Sequence, residues 1–254
     1  MVDRGQVRRA LLVISTMVSV IIFALGTASA GALSPSAGVQ INRPVPTSIQ
    51  DIPLTNQLDQ PVSLSTWSGK TVVLVPFLTL CSDICPLTTG ILYQVQRALN
   101  KDHASSQVEI VELTVDPGRD DPARLAAYAN LTGATWQLVT ETPTDLATIA
   151  KFFGFSYQKV PEDNPPDIDW LTGKPLTYDI DHSDGFVIID SKGVERFVNG
   201  AAPDFKGRLN PKLEKFLSPL GHQHQEHPAK PSYTASTVLG ALGLSLHRNL
   251  AAAG

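Results

Sequence analysis

The sequence predicts an α/β domain in which a central mixed sheet is flanked by helices. Three short apolar runs, each typical of a buried strand, alternate with stretches whose apolar residues recur every three or four positions. An N-terminal segment with a central turn signal adds a predicted hairpin. At 254 residues, of which 43% are hydrophobic and 17% charged, the chain is long enough to bury a substantial core.

The beginning of the chain is typical of an exported protein. Arg4, Arg8 and Arg9 precede an uncharged, largely apolar run at residues 10–30. This pattern predicts either a cleaved signal peptide, with small residues before a cleavage site at Ala30, or a retained membrane anchor. Both alternatives place the remaining chain outside the cytoplasm, in the cell envelope or secreted.

Composition predicts how the rest of the chain is divided. Residues 31–48 are rich in Ser, Gly, Ala and Pro and predict a flexible or extended linker. Residues 49–217 predict one folded domain, and residues 218–254 a C-terminal tail. The folded domain begins with the predicted hairpin at residues 51–69, whose turn lies around Asp59-Gln60-Pro61.

Three strands and three helices then alternate. The strands are predicted at residues 71–77, 108–115 and 185–190, which are almost continuously apolar. Apolar spacing predicts the first helix at residues 88–99, and acidic residues before a proline open the second at Asp120-Asp121-Pro122. The third is predicted at residues 143–153, with Thr142 as its N-cap.

The only two cysteines lie between the first of these strands and the first helix, in the sequence CSDICP at residues 81–86. If Cys81 and Cys85 share a helical turn, their spacing of four places both sulfurs on one face. A helix N-terminus also favours the thiolate, which binds metals and attacks disulfides. The residues leave metal chelation, thiol–disulfide exchange and a plain structural disulfide open. A structural zinc site is disfavoured, because no further ligands follow at the usual paired spacing.

Together these segments resemble the SCO/SenC family, whose members deliver copper to cytochrome c oxidase. The resemblance covers roughly residues 51–217 and implies a thioredoxin-like fold. A lone cysteine pair would be a weak signal, but several motifs in the right order are specific. These are residues 64–70, CSDICP at 81–86, TVDPGRDDP at 114–122 and YDIDHS at 178–183, the last directly before the strand at 185–190.

The resemblance implies a copper site built from Cys81, Cys85 and His182. Two soft thiolates suit Cu(I), and the imidazole makes a site that also accepts Cu(II). Asp116 is expected near the site, where it would orient a ligand, contact a partner or cap the following turn. Asp181 would influence the charge of the adjacent imidazole or simply be exposed.

The implied partner is the copper-accepting subunit of cytochrome c oxidase, which holds a dinuclear copper centre. Other copper chaperones and thiol reductants are further expected partners. A nucleic-acid partner is excluded by the net charge of −4 and the absence of basic runs. The alternative function is a thiol–disulfide oxidoreductase acting on exported, cysteine-containing copper proteins, so enzymatic activity stays open. A peroxidase is a weaker third alternative.

The tail contains three clustered histidines, His222, His224 and His227. Clustered imidazoles bind Cu(II), Ni(II) or Zn(II), so the cluster is a candidate auxiliary metal site, with a polar linker as the alternative. Residues 237–246 are apolar but too short to span a bilayer, and predict a short helix or an unstructured end.

Overall fold

A computed structural model describes residues 38–162 and 164–250, which belong to one compact unit. The predicted signal or anchor at residues 1–30 and the first residues of the predicted linker lie outside these ranges. Among the described helices, none combines the length and the apolar character that crossing a membrane requires.

The centre of the fold is an eight-stranded mixed sheet with the strand order β1-β10-β9-β4-β5-β6-β2-β3. Strands β4, β5 and β6 run parallel, and every other neighbouring pair is antiparallel. In chain order these strands are β1 Val39–Pro44, β2 Leu54–Asn56, β3 Pro61–Val62, β4 Thr71–Phe77, β5 Val108–Thr114, β6 Gln137–Thr140, β9 Phe186–Ile189 and β10 Val194–Asn199. Two smaller pairs complete the set: β7 Tyr157–Val160 with β8 Asp179–His182, and β11 Ala202–Pro203 with β12 Ser232–Tyr233.

Helices cover the sheet and enclose one hydrophobic core. Two of them begin as the sequence predicts, because Asp121 accepts a hydrogen bond from the N–H of Arg124 and Thr142 accepts one from the N–H of Asp145. The helices are α1 Thr47–Gln50, α2 Cys85–Lys101, α3 Pro122–Thr132, α4 Pro143–Phe153, α5 Pro211–Glu214, α6 Pro219–Glu226 and α7 Ala235–Leu246.

The prediction of an α/β fold with a central mixed sheet is confirmed. All seven residues of β4 are buried, as a strand covered on both faces requires. The predicted hairpin is the antiparallel pair β2–β3, and Asp59 in its turn has a positive φ of 57°. Each of the three predicted helices is present, although α2 begins three residues earlier than its apolar pattern indicated.

The second half of the predicted linker, by contrast, is part of the sheet. Strand β1 pairs with β10 along its length, so the linker prediction for residues 39–44 was wrong. Five of the six residues of β1 are exposed, and the alternation of Val39 and Ile41 with polar neighbours is too short to predict a strand. Backbone pairing holds it at the edge of the sheet, together with an ion pair of 2.5 Å between Arg43 and the buried Glu195.

The predicted C-terminal tail is likewise folded onto the domain. Helix α7 packs against α2, β4 and β9, and β12 pairs in parallel with β11. Val238, Leu239 and Leu242 are each at most 2% exposed. The boundary predicted at residue 217 therefore cuts through the core, because α7 supplies apolar side chains that cover one face of the sheet.

Candidate metal centre

The two cysteines lie at the junction between a loop and helix α2. Cys85 is the first residue of the helix and is 2% exposed, whereas Cys81 lies in the preceding loop and is partly exposed. The backbone N–H of Cys85 donates to Sγ of Cys81 over 3.4 Å. The N-cap residue Ile84 offers no side-chain acceptor, so the Cys81 sulfur satisfies a free N–H of the first turn. The expectation of two sulfurs on one helical face was wrong, since the loop folds Cys81 back over the helix terminus.

His182 reaches these sulfurs from the far end of β8. Its Nε2 atom lies 3.7 Å from Sγ of Cys85. One ligand atom from each of Cys81, Cys85 and His182 lies within 4.8 Å of the others, and no other such group of three exists among residues 38–162 and 164–250. The structure therefore brings together the three side chains that the resemblance implied.

A second hydrogen bond fixes how the imidazole presents itself. Nδ1 of His182 lies 3.0 Å from the backbone carbonyl oxygen of Ser183. Because a carbonyl oxygen can only accept, Nδ1 carries the proton and the lone pair of the neutral ring is on Nε2, which faces the sulfurs. This is the arrangement in which an imidazole is ready to bind an ion.

The two thiols are electrostatically unequal. The pKa of Cys81 is well below its usual value, mainly because the Cys85 thiol donates a hydrogen bond to its thiolate, with His182 adding to this against the effect of burial. The same hydrogen bond, followed by burial, raises the pKa of Cys85. Burial lowers the pKa of His182, but the hydrogen bond and charge of Cys81 outweigh it, so the net shift is upward. Without metal, the site therefore favours one thiolate and one thiol.

Asp116 supports the strand that carries His182. It is 3% exposed and accepts a hydrogen bond of 2.9 Å from the hydroxyl of Tyr178, the residue directly before β8. Arg119 pairs with the same carboxylate and donates to the carbonyl oxygen of Tyr178 over 2.7 Å. The guanidinium also lies 3.8 Å above the Tyr178 ring. These contacts fix the start of β8. The sequence did not predict this supporting role for Arg119 or Tyr178, although both lie within the family-like segments.

The site opens into a cavity of about 610 Å³ whose rim is acidic. Asp181 is exposed on this rim, beside but not between the three candidate ligands. Burial raises the pKa of Asp184 to about 6, while the neighbouring His182 opposes that shift. The high density of acidic residues near His182 is visible in the sequence. That these residues lie beside the cysteine loop is visible only in the structure. The carboxylates that line the cavity are those of Asp83, Glu162, Asp167, Asp179, Asp181 and Asp184.

The tail histidines do not form a three-imidazole site. His222 and His224 are two positions apart on α6, which places them on nearly opposite faces of the helix. His222 and His227 are exposed, and only His224 lines the cavity of the candidate site. An auxiliary metal-binding role for His222, His224 and His227 therefore stays a prediction, and of the three only His224 lies beside the candidate site.

The fold and the site define the class of protein: a thioredoxin-like α/β domain with two sulfurs and one imidazole gathered at the start of a helix. Comparison with known structures agrees on the fold. The ScoI protein of Arabidopsis thaliana, solved with copper bound, superposes with a TM-score of 0.50 at 19% identity, covering 69% of this chain and 97% of the other.

The chain belongs to the SCO1/SenC family, whose profile matches residues 44–204. A Stutzerimonas stutzeri protein named "Putative copper-binding protein" is 32% identical over 111 residues, or 43% of this chain and 53% of that protein. The mitochondrial SCO2 homolog of Mus musculus is 28% identical over 144 residues, or 57% of this chain and 52% of that protein. The chain thus spans about half the length of the curated relatives it matches.

Proposed function

We propose that the protein is a copper carrier that binds one ion through the sulfurs of Cys81 and Cys85 and Nε2 of His182. The observation that carries the proposal is the convergence of these three atoms within 4.8 Å of one another. Two thiolates are soft ligands that select Cu(I), and an imidazole is a ligand that also suits Cu(II). Membership of the SCO1/SenC family and the copper named for its relatives support the same metal.

The acceptor that we propose is the subunit of a cytochrome c oxidase that holds a dinuclear copper centre, located outside the cytoplasm. The unequal burial of the ligands suits such a transfer. Cys85 is buried at the helix start, whereas Cys81 is partly exposed beside the open cavity. An acceptor's ligands can therefore replace Cys81 first, while Cys85 and His182 still hold the ion.

The proposal is tested by His182→Ala, with the exposed His227→Ala as the matched control. Loss of an outer hydrogen-bond partner alone typically costs about 10–100-fold in metal affinity, so loss of a ligand should cost at least about 100-fold in Cu(II) affinity. Cu(I) capture by the two thiols should persist at lower affinity. Anaerobic competition titration of the thiol-reduced protein measures this, with reductant present for Cu(I) and removed beforehand for Cu(II). Unchanged Cu(II) affinity in His182→Ala would contradict the three-ligand site.

A second candidate function is thiol–disulfide exchange, which the inequality of the two thiols favours. The Cys81 thiolate would attack one sulfur of a partner's disulfide and release the other as a thiolate. Deprotonated Cys85 would then attack Cys81, releasing the second partner thiol and leaving a Cys81–Cys85 disulfide. In this case His182→Ala should keep most of its activity in a disulfide-reduction assay, whereas Cys85→Ser should accumulate the mixed disulfide.

A further inference from the structure

Helix α6, which lies beyond the family-matched residues, is attached directly to the loop between the two cysteines. The N–H of Ser218 donates to the carbonyl oxygen of Ser82 over 2.9 Å. The hydroxyl of Ser218 donates to the carboxylate of Asp83 and also accepts from the N–H of Gly221 over 2.9 Å. The residue that caps α6 thus also fixes the helix to the cysteine loop.

Gly221 allows this close approach. A Cβ atom at this position would lie 2.7 Å from the carbonyl oxygen of Ser82 and 2.9 Å from that of Asp83. Both obstacles are backbone atoms, which cannot move aside as a flexible side chain can. Any larger residue must therefore push α6 away from the cysteine loop.

The attachment places one imidazole of the tail on the wall of the metal cavity. His224 lines this cavity together with Cys81, Asp83 and His182. Its Nδ1 atom is buried and has no hydrogen-bond partner among the described residues. An unpartnered buried nitrogen is costly, and an imidazole on the wall of a cavity that Cys81 and His182 also line is a potential metal ligand.

We propose that His224 is an outer ligand that captures the copper ion in the cavity and passes it to Cys81 and His182. The inference rests on the proposed function. The ion keeps its oxidation state, and a lone pair of the imidazole is replaced by lone pairs of the inner ligands. The acidic rim raises the local concentration of the cation, and His224 gives it a first ligand.

The chain supplies matched controls for the test. His222 and His227 are exposed on or next to the same helix but do not line the cavity, so His222→Gln and His227→Gln control for loss of an imidazole.

Loading is followed by stopped flow with Cu(II) under anaerobic conditions, through the thiolate-to-copper absorption. His224→Gln should load about tenfold more slowly, because it removes the first ligand while the acidic rim that concentrates the cation stays intact. Its equilibrium affinity should stay within about twofold of the native value, because the inner ligands are intact.

Two further variants test the role of His224 without relying on a single substitution or on the inner copper ligands. Gly221→Ala displaces α6 and should slow loading as His224→Gln does. In the Cys81→Ser/Cys85→Ser double variant, weak Cu(II) binding measured by titration calorimetry should persist and should be lost when His224→Gln is added. The inference would be overturned if His224→Gln loaded copper at the native rate, or if His222→Gln slowed loading equally. The proposed function would still stand in either case, provided that the native protein binds copper. Failure of the native protein to bind copper would overturn both.

Discussion

At the residue scale, the two cysteines differ because of where the helix begins. Cys85 is the first residue of α2, its N–H donates to the sulfur of Cys81, and its own sulfur lies 3.7 Å from Nε2 of His182. A metal that binds both sulfurs must displace the proton of Cys85, so metal binding should weaken as the pH falls. The partly exposed Cys81 is the sulfur that is already prepared as a thiolate.

We therefore predict that Cys85→Ala raises the pKa of Cys81. The hydrogen bond from the Cys85 thiol is the largest cause of the low pKa of Cys81, ahead of the contributions from His182. Without it the thiolate forms only at higher pH, so reactivity at neutral pH falls. The midpoint of the alkylation rate against pH measures this in the metal-free protein.

His182→Ala provides the comparison for that experiment. It should also raise the midpoint of Cys81, because the imidazole stabilises the thiolate both by a hydrogen bond and by its charge. A midpoint that stays unchanged in Cys85→Ala would show that the thiol pair does not set the reactivity.

The sequence predicts these three residues to different degrees. The spacing of Cys81 and Cys85 and the strand before them are local, so they indicate a reactive pair without reference to any relative. His182 is 97 positions from Cys85, and no local pattern marks it. Its contact with the sulfurs depends on β7 and β8, a pair that the apolar pattern did not predict, and only the family resemblance indicated it.

At the element scale, β8 is a short strand held at its start by the contacts of Tyr178 and at its end by two hydrogen bonds between Ser183 and Ser156. It pairs only with β7, outside the large sheet, where Tyr157 lies opposite His182. Such a small pair is marginally stable by itself. The hydrogen bonds that Tyr178 makes with Asp116 and Arg119 therefore help to position His182.

We predict that Tyr178→Phe weakens metal binding without removing a ligand. The change deletes the hydroxyl that donates to buried Asp116 but keeps the ring under Arg119. A hydrogen bond to a charged group contributes about 1.5–3 kcal/mol to the free energy of unfolding, so a loss in this range is expected in urea denaturation. Copper affinity should fall about 10–100-fold, as for other residues that position a ligand.

Tyr157→Phe is the matched control for this strand pair. Tyr157 lies closer to His182 in the register than Tyr178 does, yet its hydroxyl has no hydrogen-bond partner within the described part of the chain. Its removal should leave both measurements unchanged. Equal effects of the two substitutions would mean that general loosening of the pair, and not the contact with Asp116, explains the result.

At the scale of the whole molecule, the site is assembled from three distant parts of one fold. The end of β4 leads into the cysteine loop, β8 supplies the imidazole, and α6 covers the loop from outside. The family profile ends at residue 204, whereas the described fold continues to residue 250. The apolar residues of α7 predicted a short helix but not its burial. The sequence does not show that no other element covers the face of the sheet beside α2.

We predict that the C-terminal segment is required for a stable domain. Leu242 is completely buried, and substitution of a buried leucine by alanine typically costs about 2–5 kcal/mol. Leu242→Ala should lower the free energy of unfolding by that amount, whereas the control Leu220→Ala, 46% exposed on α6, should change it by less than about 0.5 kcal/mol.

Truncation after Leu217 tests the same point more severely. It removes Val238, Leu239 and Leu242 together, and each fully buried side chain of this kind contributes about 1.5–3 kcal/mol. That sum is comparable with the total stability of an ordinary domain, about 5–15 kcal/mol. The truncated chain should therefore lose its cooperative unfolding transition in urea, monitored by tryptophan fluorescence and circular dichroism. If it unfolds cooperatively at the native midpoint, α7 is an appendage and the domain ends where the family profile does.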